Sequence, residues 1–333
     1  MAKRKSKQSP LMTVLGTLLA VLITLVMWIA GEDFGIEIST TLPTATPMAT
    51  PAATAAQTPE ATAQAPAVSP DADDSAEGLT LHVLEVGKAD CLLLECEDEW
   101  MLVDGGNEED EDYILGKLSE MGVDKLDVLV NTHPHEDHLG ALDAVIYAVE
   151  VEQAYISPRE HTTRNYERLL TALAEREVPT EMPEPGDTWQ LGGAQVTVLS
   201  PEADADYDGY NDWSLVLMVQ YGDVRYLLMG DAETPVEGDL VESGVNLDAD
   251  VLKVGHHGSS TSSRKNFLAA VSPEYALIPC DGTEEAGAPH DKVVRYLQEY
   301  SIPFLRTDEN GVISVFTDGK DIALSTERET VIR

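Results

Sequence analysis

Leu126–Gly140 reads LDVLVNTHPHEDHLG, an apolar strand run that breaks into a cluster of polar side chains and then enters the helical pattern of residues 139–149. Four residue types that bind divalent metals, His133, His135, Asp137 and His138, fall within one short loop at this strand-to-helix junction. In a tight loop, residues two apart point one way and the neighbouring pair another, so one segment can serve two ions. Imidazole and carboxylate are the usual donors to Zn, Mn or Fe. Three histidines and an aspartate at this spacing are read as a metal site rather than a solvated surface loop.

Working outward, the chain before this loop is strand-like. LTLHVLEV from Leu79, CLLLECE and EWMLVDGG predict short β runs joined by turns. Residues 110–121 carry Tyr113, Ile114, Leu118 and Met121 at helical spacing, and Gly122 ends that helix. Beyond the loop, strands and helices alternate through VEQAYIS, a helix over 164–177, AQVTVLSP, DWSLVLMVQYG, VRYLLMG and DVLKVG. EYALIP and IPFLRT follow, separated by a helix over 290–300. A leading group of β runs, a β/α stretch and a second such block from about Gln195 predict an α+β fold. Two mixed β-sheets pack face to face with helices outside, a four-layer αββα sandwich. Residues 79–333 suffice for this as one domain.

Charge divides the chain. The whole sequence has 21 Lys+Arg against 60 Asp+Glu, a formal net charge of −39. Binding of nucleic acid along an extended basic groove is therefore excluded. Residues 1–10 form a basic tail (Lys3, Arg4, Lys5, Lys7) before Leu11–Ala30, LMTVLGTLLAVLITLVMWIA, which has no charge. A helix of that length spans a bilayer core, and the basic flank places the rest of the chain outside the cytoplasm. The expectation is a single-pass membrane anchor, with secretion after signal cleavage as the alternative. Residues 31–78 are rich in Thr, Pro and Ala, lack apolar periodicity, and read as an extended linker. Cys91, Cys96 and Cys280 are odd in number and are read as buried apolar residues. The acidic run Asp204–Gly209 opens like a calcium loop but has Leu215 where a glutamate would close it, so it is read as a solvated loop.

With these residues in view, the sequence resembles the metallo-β-lactamase superfamily, whose signature is HxHxDH. The combination NDWSLVL, LLMGD, KVGHHGSS, PH and RTDENG is most similar to the extracytoplasmic hydrolase domain of ComEC-type DNA-uptake proteins. The resemblance implies that Asp104 is a structural aspartate near the site and that Asp231 bridges two metals. It also implies that one of His256 and His257 is the late histidine ligand, leaving open which. Asn211 and Asp212 stand at the strand entry where many members have a further histidine for the first metal, so that site has His133, His135 and Asp231 and no assigned third imidazole, and Asn211 is read as a substrate-binding residue. His161, the only histidine between His138 and Asp231, is read as a surface residue. His290 either serves the active site or caps the following helix. Ser259 and Ser260 either hold phosphate oxygens or cap a helix. Lys253 is expected to be solvent-facing or ion-paired, and His82 to be a strand-face residue.

The implied chemistry is hydrolysis by two divalent ions, Zn or Mn, about 3.5–4 Å apart, which bridge a water and make hydroxide available near neutral pH. Asp137 and Asp231 would orient that hydroxide, and His256, His257 or His290 would assist the leaving group. The expected substrate carries a phosphodiester: DNA, a nucleotide or a cell-wall polymer. An acyl hydrolase acting on a lactone or β-lactam, and a tethered binding module without activity, are the alternatives.

Overall fold

The computed structural model describes residues 77–333 apart from 203–204 and 284–286. The expected basic tail, the membrane anchor over 11–30 and nearly all of the linker lie outside the described residues. Among the described residues no helix is long and apolar enough to cross a membrane.

The first sheet contains β1 (Leu79–Val83), β2 (Leu92–Cys96), β3 (Glu99–Val103), β4 (Lys125–Asn131), β5 (Glu150–Ile156) and β6 (Thr180–Glu181). It is completed by β14 (Ile313–Thr317) and β15 (Ile322–Thr326), in the order β15-β14-β1-β2-β3-β4-β5-β6. Pairing is antiparallel from β15 to β3 and parallel from β3 to β6. The second sheet contains β7 (Thr188–Leu191), β8 (Ala194–Ser200), β9 (Val216–Tyr221), β10 (Val224–Leu228), β11 (Val251–Lys253), β12 (Tyr275–Ile278) and β13 (Phe304–Arg306). Its order is β13-β12-β11-β10-β9-β8-β7, parallel from β13 to β10 and antiparallel beyond.

Period-two side chains explain why the sheets stack. Leu92, Leu94 and Cys96 of β2 join Leu217, Val219 and Tyr226 of the other sheet in one buried cluster, whereas Leu93 points to the outer face. That outer face is covered by α1 (Glu111–Glu120), α3 (Leu142–Ala148) and α4 (Arg164–Glu175). The outer face of the second sheet is covered by α5 (Thr234–Ser243), α6 (Lys265–Val271) and α7 (Asp291–Glu299). The expected αββα layering is therefore present. All three cysteines are buried and free. Asp206 and Asp208 of the acidic loop are exposed, and Asp204 lies outside the described residues.

One predicted element is divided. The helix expected over 139–149 is two pieces, α2 (Glu136–Leu139) and α3, separated by Gly140 and Ala141. A Cβ at Gly140 would overlap the backbone of Asn107 and Glu108. The amides of Gly140 and Ala141 donate instead to the carbonyls of Gly106 and Gly105 at 2.9 and 3.1 Å. The loop after β3 thus captures the helix start and fixes the histidine loop against it.

Candidate metal centre

Parallel strands bring their carboxyl ends to one edge, which is where ligands gather in such sheets. Val103 of β3 pairs with Val130 of β4, so Asp104 and Thr132 emerge side by side. Leu228 of β10 pairs with Lys253 of β11, which places Asp231 near His256 and His257.

Asp104, at φ 62°, turns its carboxylate back under the histidine loop. The Thr132 amide donates to its Oδ1 at 2.8 Å and the Thr132 hydroxyl to its Oδ2 at 2.6 Å. Asp104 Oδ2 also lies 2.7 Å from His138 Nδ1. A carboxylate on Nδ1 orients the ring and leaves Nε2 to face inward, the usual arrangement behind a metal-binding histidine. His133 Nε2 lies 3.0 Å from His135 Nδ1.

Asp231 faces both ways. Its Oδ1 is 3.2 Å from His138 Nε2 and 3.4 Å from His257 Nε2. Its Oδ2 is 3.9 Å from His133 Nε2 and 3.7 Å from His256 Nε2. The Asp231 amide donates to Ser214 Oγ at 3.0 Å, which fixes the backbone beneath the carboxylate. His256 and His257 both have positive φ, 48° and 52°. Two consecutive non-glycine residues in the left-handed region mark a local conformation that the surroundings enforce. It sends the two rings to opposite oxygens of Asp231. Gly255 lies so close to the Ala232 carbonyl that no Cβ fits there.

Asp137, His138, Asp231 and His257 each offer a ligand atom within 4.8 Å of the others. His138 Nε2, Asp231 Oδ1 and His257 Nε2 are buried without a hydrogen-bond partner. Buried polar atoms in that condition are costly, and a divalent cation among them would satisfy all of them. The donor set fits Zn, Mn or Fe. Burial works against charge on His138, but the Asp231 and Asp104 carboxylates outweigh it and hold the imidazole well above its ordinary pKa. His257 is raised likewise, burial being overcome by Asp231 and Asp90. Burial lowers His133 and His135 instead, with the charge of His138 adding to the effect at both.

Beneath this cluster sits a buried ion pair of Asp90 and Lys253. Lys253 also donates to the Gly230 carbonyl at 2.7 Å, and Asp90 Oδ1 lies 3.4 Å from His257 Nδ1. Of the two expectations for Lys253, ion-paired is what the structure shows. Asp90 was not anticipated from sequence, where it closes the turn GKAD before the next apolar run.

The structure brings His133, His135, Asp137, His138, Asp231, His256 and His257 together, with Asp104 behind His138. Asn211 supports His256 from the side: its amide donates to Glu233 Oε1 at 3.1 Å, and Glu233 Oε1 lies 2.8 Å from His256 Nδ1. Ser259 Oγ meets Thr261 Oγ1 at 3.0 Å in the same network, and the Ser260 carbonyl accepts from Lys292 Nζ at 2.9 Å. His290 takes the cap alternative: it is exposed, and its Nδ1 accepts from the Lys292 amide at 3.1 Å at the start of α7. His161 is half-buried rather than fully on the surface, its ring 4.4 Å from that of Tyr210. His82 pairs with Ser314 at 2.8 Å across β1 and β14, a strand-face role.

Curated proteins with similar sequence carry competence names. "ComE operon protein 3" of Bacillus subtilis is 36% identical over 61% of this chain, which covers 26% of that protein. "Competence protein ComA" of Neisseria gonorrhoeae is 34% identical over 60% of the chain and 26% of its own length. "Recombination protein 2" of Haemophilus influenzae is 28% identical over 74% of the chain and 28% of its own length. The chain therefore spans about a quarter of the length of these relatives. Residues 84–282, more than half of the sequence and the whole of the histidine and aspartate cluster, match the family described as the metallo-beta-lactamase superfamily, and the chain belongs to it.

Proposed function

We propose that this chain is a metal-dependent phosphodiester hydrolase with two metal pockets joined by Asp231. The observation that carries this reading is the division of one carboxylate between two sets of imidazoles, Oδ1 toward His138 and His257 and Oδ2 toward His133 and His256. His133, His135 and Asp231 would hold one ion, and Asp137, His138, Asp231 and His257 the other. Bound there, two divalent ions would acidify a water and neutralise charge on phosphoryl oxygens. Asp137 is kept ionised: burial opposes its charge, but His257 and His138 outweigh burial and pull its pKa far down. It can therefore orient an attacking water by accepting a hydrogen bond.

His256 is partly exposed, with 21% of its side chain open to solvent, and carries Glu233 on Nδ1. Glu233 holds the ring by Nδ1, so His256 Nε2 faces Asp231 and is placed to pass a proton to the departing oxygen. Acidic surroundings do not preclude an anionic substrate, because the ions supply the local positive charge. Tethering outside the membrane through residues 11–30 belongs to the same proposal.

The test is metal content and turnover of the purified full-length chain with bis-p-nitrophenyl phosphate, DNA and nitrocefin. Two ions per chain and diester turnover are expected. Nitrocefin turnover alone would transfer the site to acyl hydrolysis, and two ions with no turnover would make the chain a binding module. His256→Ala should keep both ions and lose about 10²–10⁴-fold with an alkyl leaving group, and far less with p-nitrophenolate. Loss of an ion would make His256 a ligand instead.

A further inference from the structure

Beside the pocket of His133 and His135 lies a cluster that none of the metal chemistry uses. The Tyr210 ring stands 5.6 Å from the His135 ring and 4.4 Å from the His161 ring. The Arg159 guanidinium lies 5.5 Å from the Tyr210 ring centre and 5.4 Å from that of Trp213. We propose that Arg159 and His161, mounted on Tyr210, form an anion-recognising subsite that takes a second phosphate of the substrate.

Two loops build this cluster, and they are pinned together. Ser157 Oγ donates to the Trp213 carbonyl at 2.8 Å and accepts from the Arg159 amide at 3.2 Å. Trp213 Nε1 donates to the Tyr207 carbonyl at 3.3 Å, which steadies the ring beneath the guanidinium. Arg168, Arg306 and Arg328 each close an ion pair with a carboxylate; among the described residues Arg159, Arg164, Arg176, Arg264 and Arg295 close none, and of these five Arg159 is the half-buried one. In a chain with 60 acids, a half-buried guanidinium held on two aromatic rings and left without an acid is placed for an outside anion. A cation–π contact uses none of the guanidinium N–H groups as hydrogen-bond donors to an acceptor atom, so they can still donate to phosphate oxygens. His161 Nδ1 accepts from the Thr163 amide at 3.1 Å, so the neutral ring carries its hydrogen on Nε2 and donates from there.

The anion is not the reacting one. Arg159 and His135 both lie against the Tyr210 ring, at 5.5 and 5.6 Å from its centre, so the guanidinium is a neighbour of the His135 pocket through Tyr210 rather than one of its ligands. Tyr210 is also flanked by three side chains, which disfavours the alternative of a base stacked on it. What remains is a neighbouring phosphate on the same molecule.

This inference rests on the phosphodiesterase reading, and the test separates the two. Kinetics of the full-length metal-loaded chain would be compared on bis-p-nitrophenyl phosphate, which has one phosphate, and on a thymidine dinucleotide bearing a 5′-phosphate, which has two. Arg159→Gln should raise KM about tenfold for the dinucleotide and leave bis-p-nitrophenyl phosphate unchanged. Arg159→Lys should recover part of the loss. Equal effects on both substrates would place Arg159 on the reacting phosphate and overturn the proposal.

Binding of a labelled phosphorothioate hexathymidylate, followed by anisotropy, needs no turnover. Arg159→Gln should weaken it and reduce the slope of log K against log salt by about 0.7. Wild-type affinity and slope in the variant would overturn the subsite even if the enzyme is a phosphodiesterase. If the wild type turns over neither substrate yet the variant loses binding and slope, the phosphodiesterase reading falls and the subsite stands. His161→Gln should retain both ions with weaker hexathymidylate binding, and loss of an ion would make His161 a ligand and remove it from the subsite.

Discussion

The two pockets on either side of Asp231 are built from similar residues and behave differently. Around His138 and His257, ligand atoms from Asp137, His138, Asp231 and His257 already converge, and Asp104, Asp90 and Lys253 brace them from behind. Around His133 and His135, the two imidazoles lie against each other, and His135 is half-exposed beside Tyr210. Burial is common to His133, His138 and His257, yet His138 and His257 are held above the ordinary pKa while His133 falls below it. The neighbouring charges decide the outcome. At His138 and His257, Asp231 together with Asp104, Asp90 or Asp137 outweighs burial, whereas at His133 the charges of His138 and His135 oppose the pull of Asp231 and Asp137 and burial prevails. The first arrangement is a charge-balanced pocket, and the second is a more open one suited to exchange with solvent and substrate.

This contrast can be broken or sharpened experimentally, beginning with the residue common to both pockets. Asp231→Asn should weaken both ions and lower diester turnover by about 10²–10³-fold or more, the scale for losing one preorganised electrostatic contact at a reacting centre. Retention of two tight ions by mass spectrometry would end the shared-carboxylate account.

Lys253→Met comes next and acts on the braced pocket alone. It leaves Asp90 buried without its cation, which should cost about 3–5 kcal/mol in urea unfolding of the metal-free chain. Adding Asp90→Leu should recover much of that loss. A single variant as stable as wild type would show that the ion pair is not what braces the pocket.

Asp104→Asn is expected to weaken the ion at His138 by about 10–100-fold in a chelator competition, leaving the His133 ion nearly unchanged. Equal weakening of both would erase the distinction between the pockets.

The smallest effects are on pH dependence of the metal-free chain. His138 and His257 have raised pKa values, so the stability they contribute is fully present below about pH 6.5 and is lost as pH rises through their folded values. His133 and His135 are lowered, so below about pH 6.5 the unfolded chain takes up protons that the folded chain does not, and stability falls. His257→Gln should flatten the alkaline limb of the stability curve and His133→Gln the acid limb. Reversed assignments in a histidine NMR titration would contradict the electrostatic contrast.

Much of this was legible in the amino-acid sequence. Short apolar strand runs and the β-then-β/α order led to two face-to-face sheets, because burial on both sides of a strand leaves a continuous apolar stretch. The HxHxDH loop was legible because its ligands are neighbours in the chain. Three other features were not. His256 and His257 are adjacent in sequence, and only their left-handed backbone assigns one ring to each oxygen of Asp231. Asp90 is an ordinary turn residue until β11 brings Lys253 against it. His161 looks like a loop histidine until Tyr210 arrives from a distant segment.

The chain's own residues settled the αββα layering and the histidine loop, since hydrophobic period and ligand spacing are local properties. The division of ligands between two pockets, the buried Asp90–Lys253 brace and the place of Arg159 came only with the tertiary structure. Each depends on distances between segments far apart in the chain, which a linear pattern does not encode.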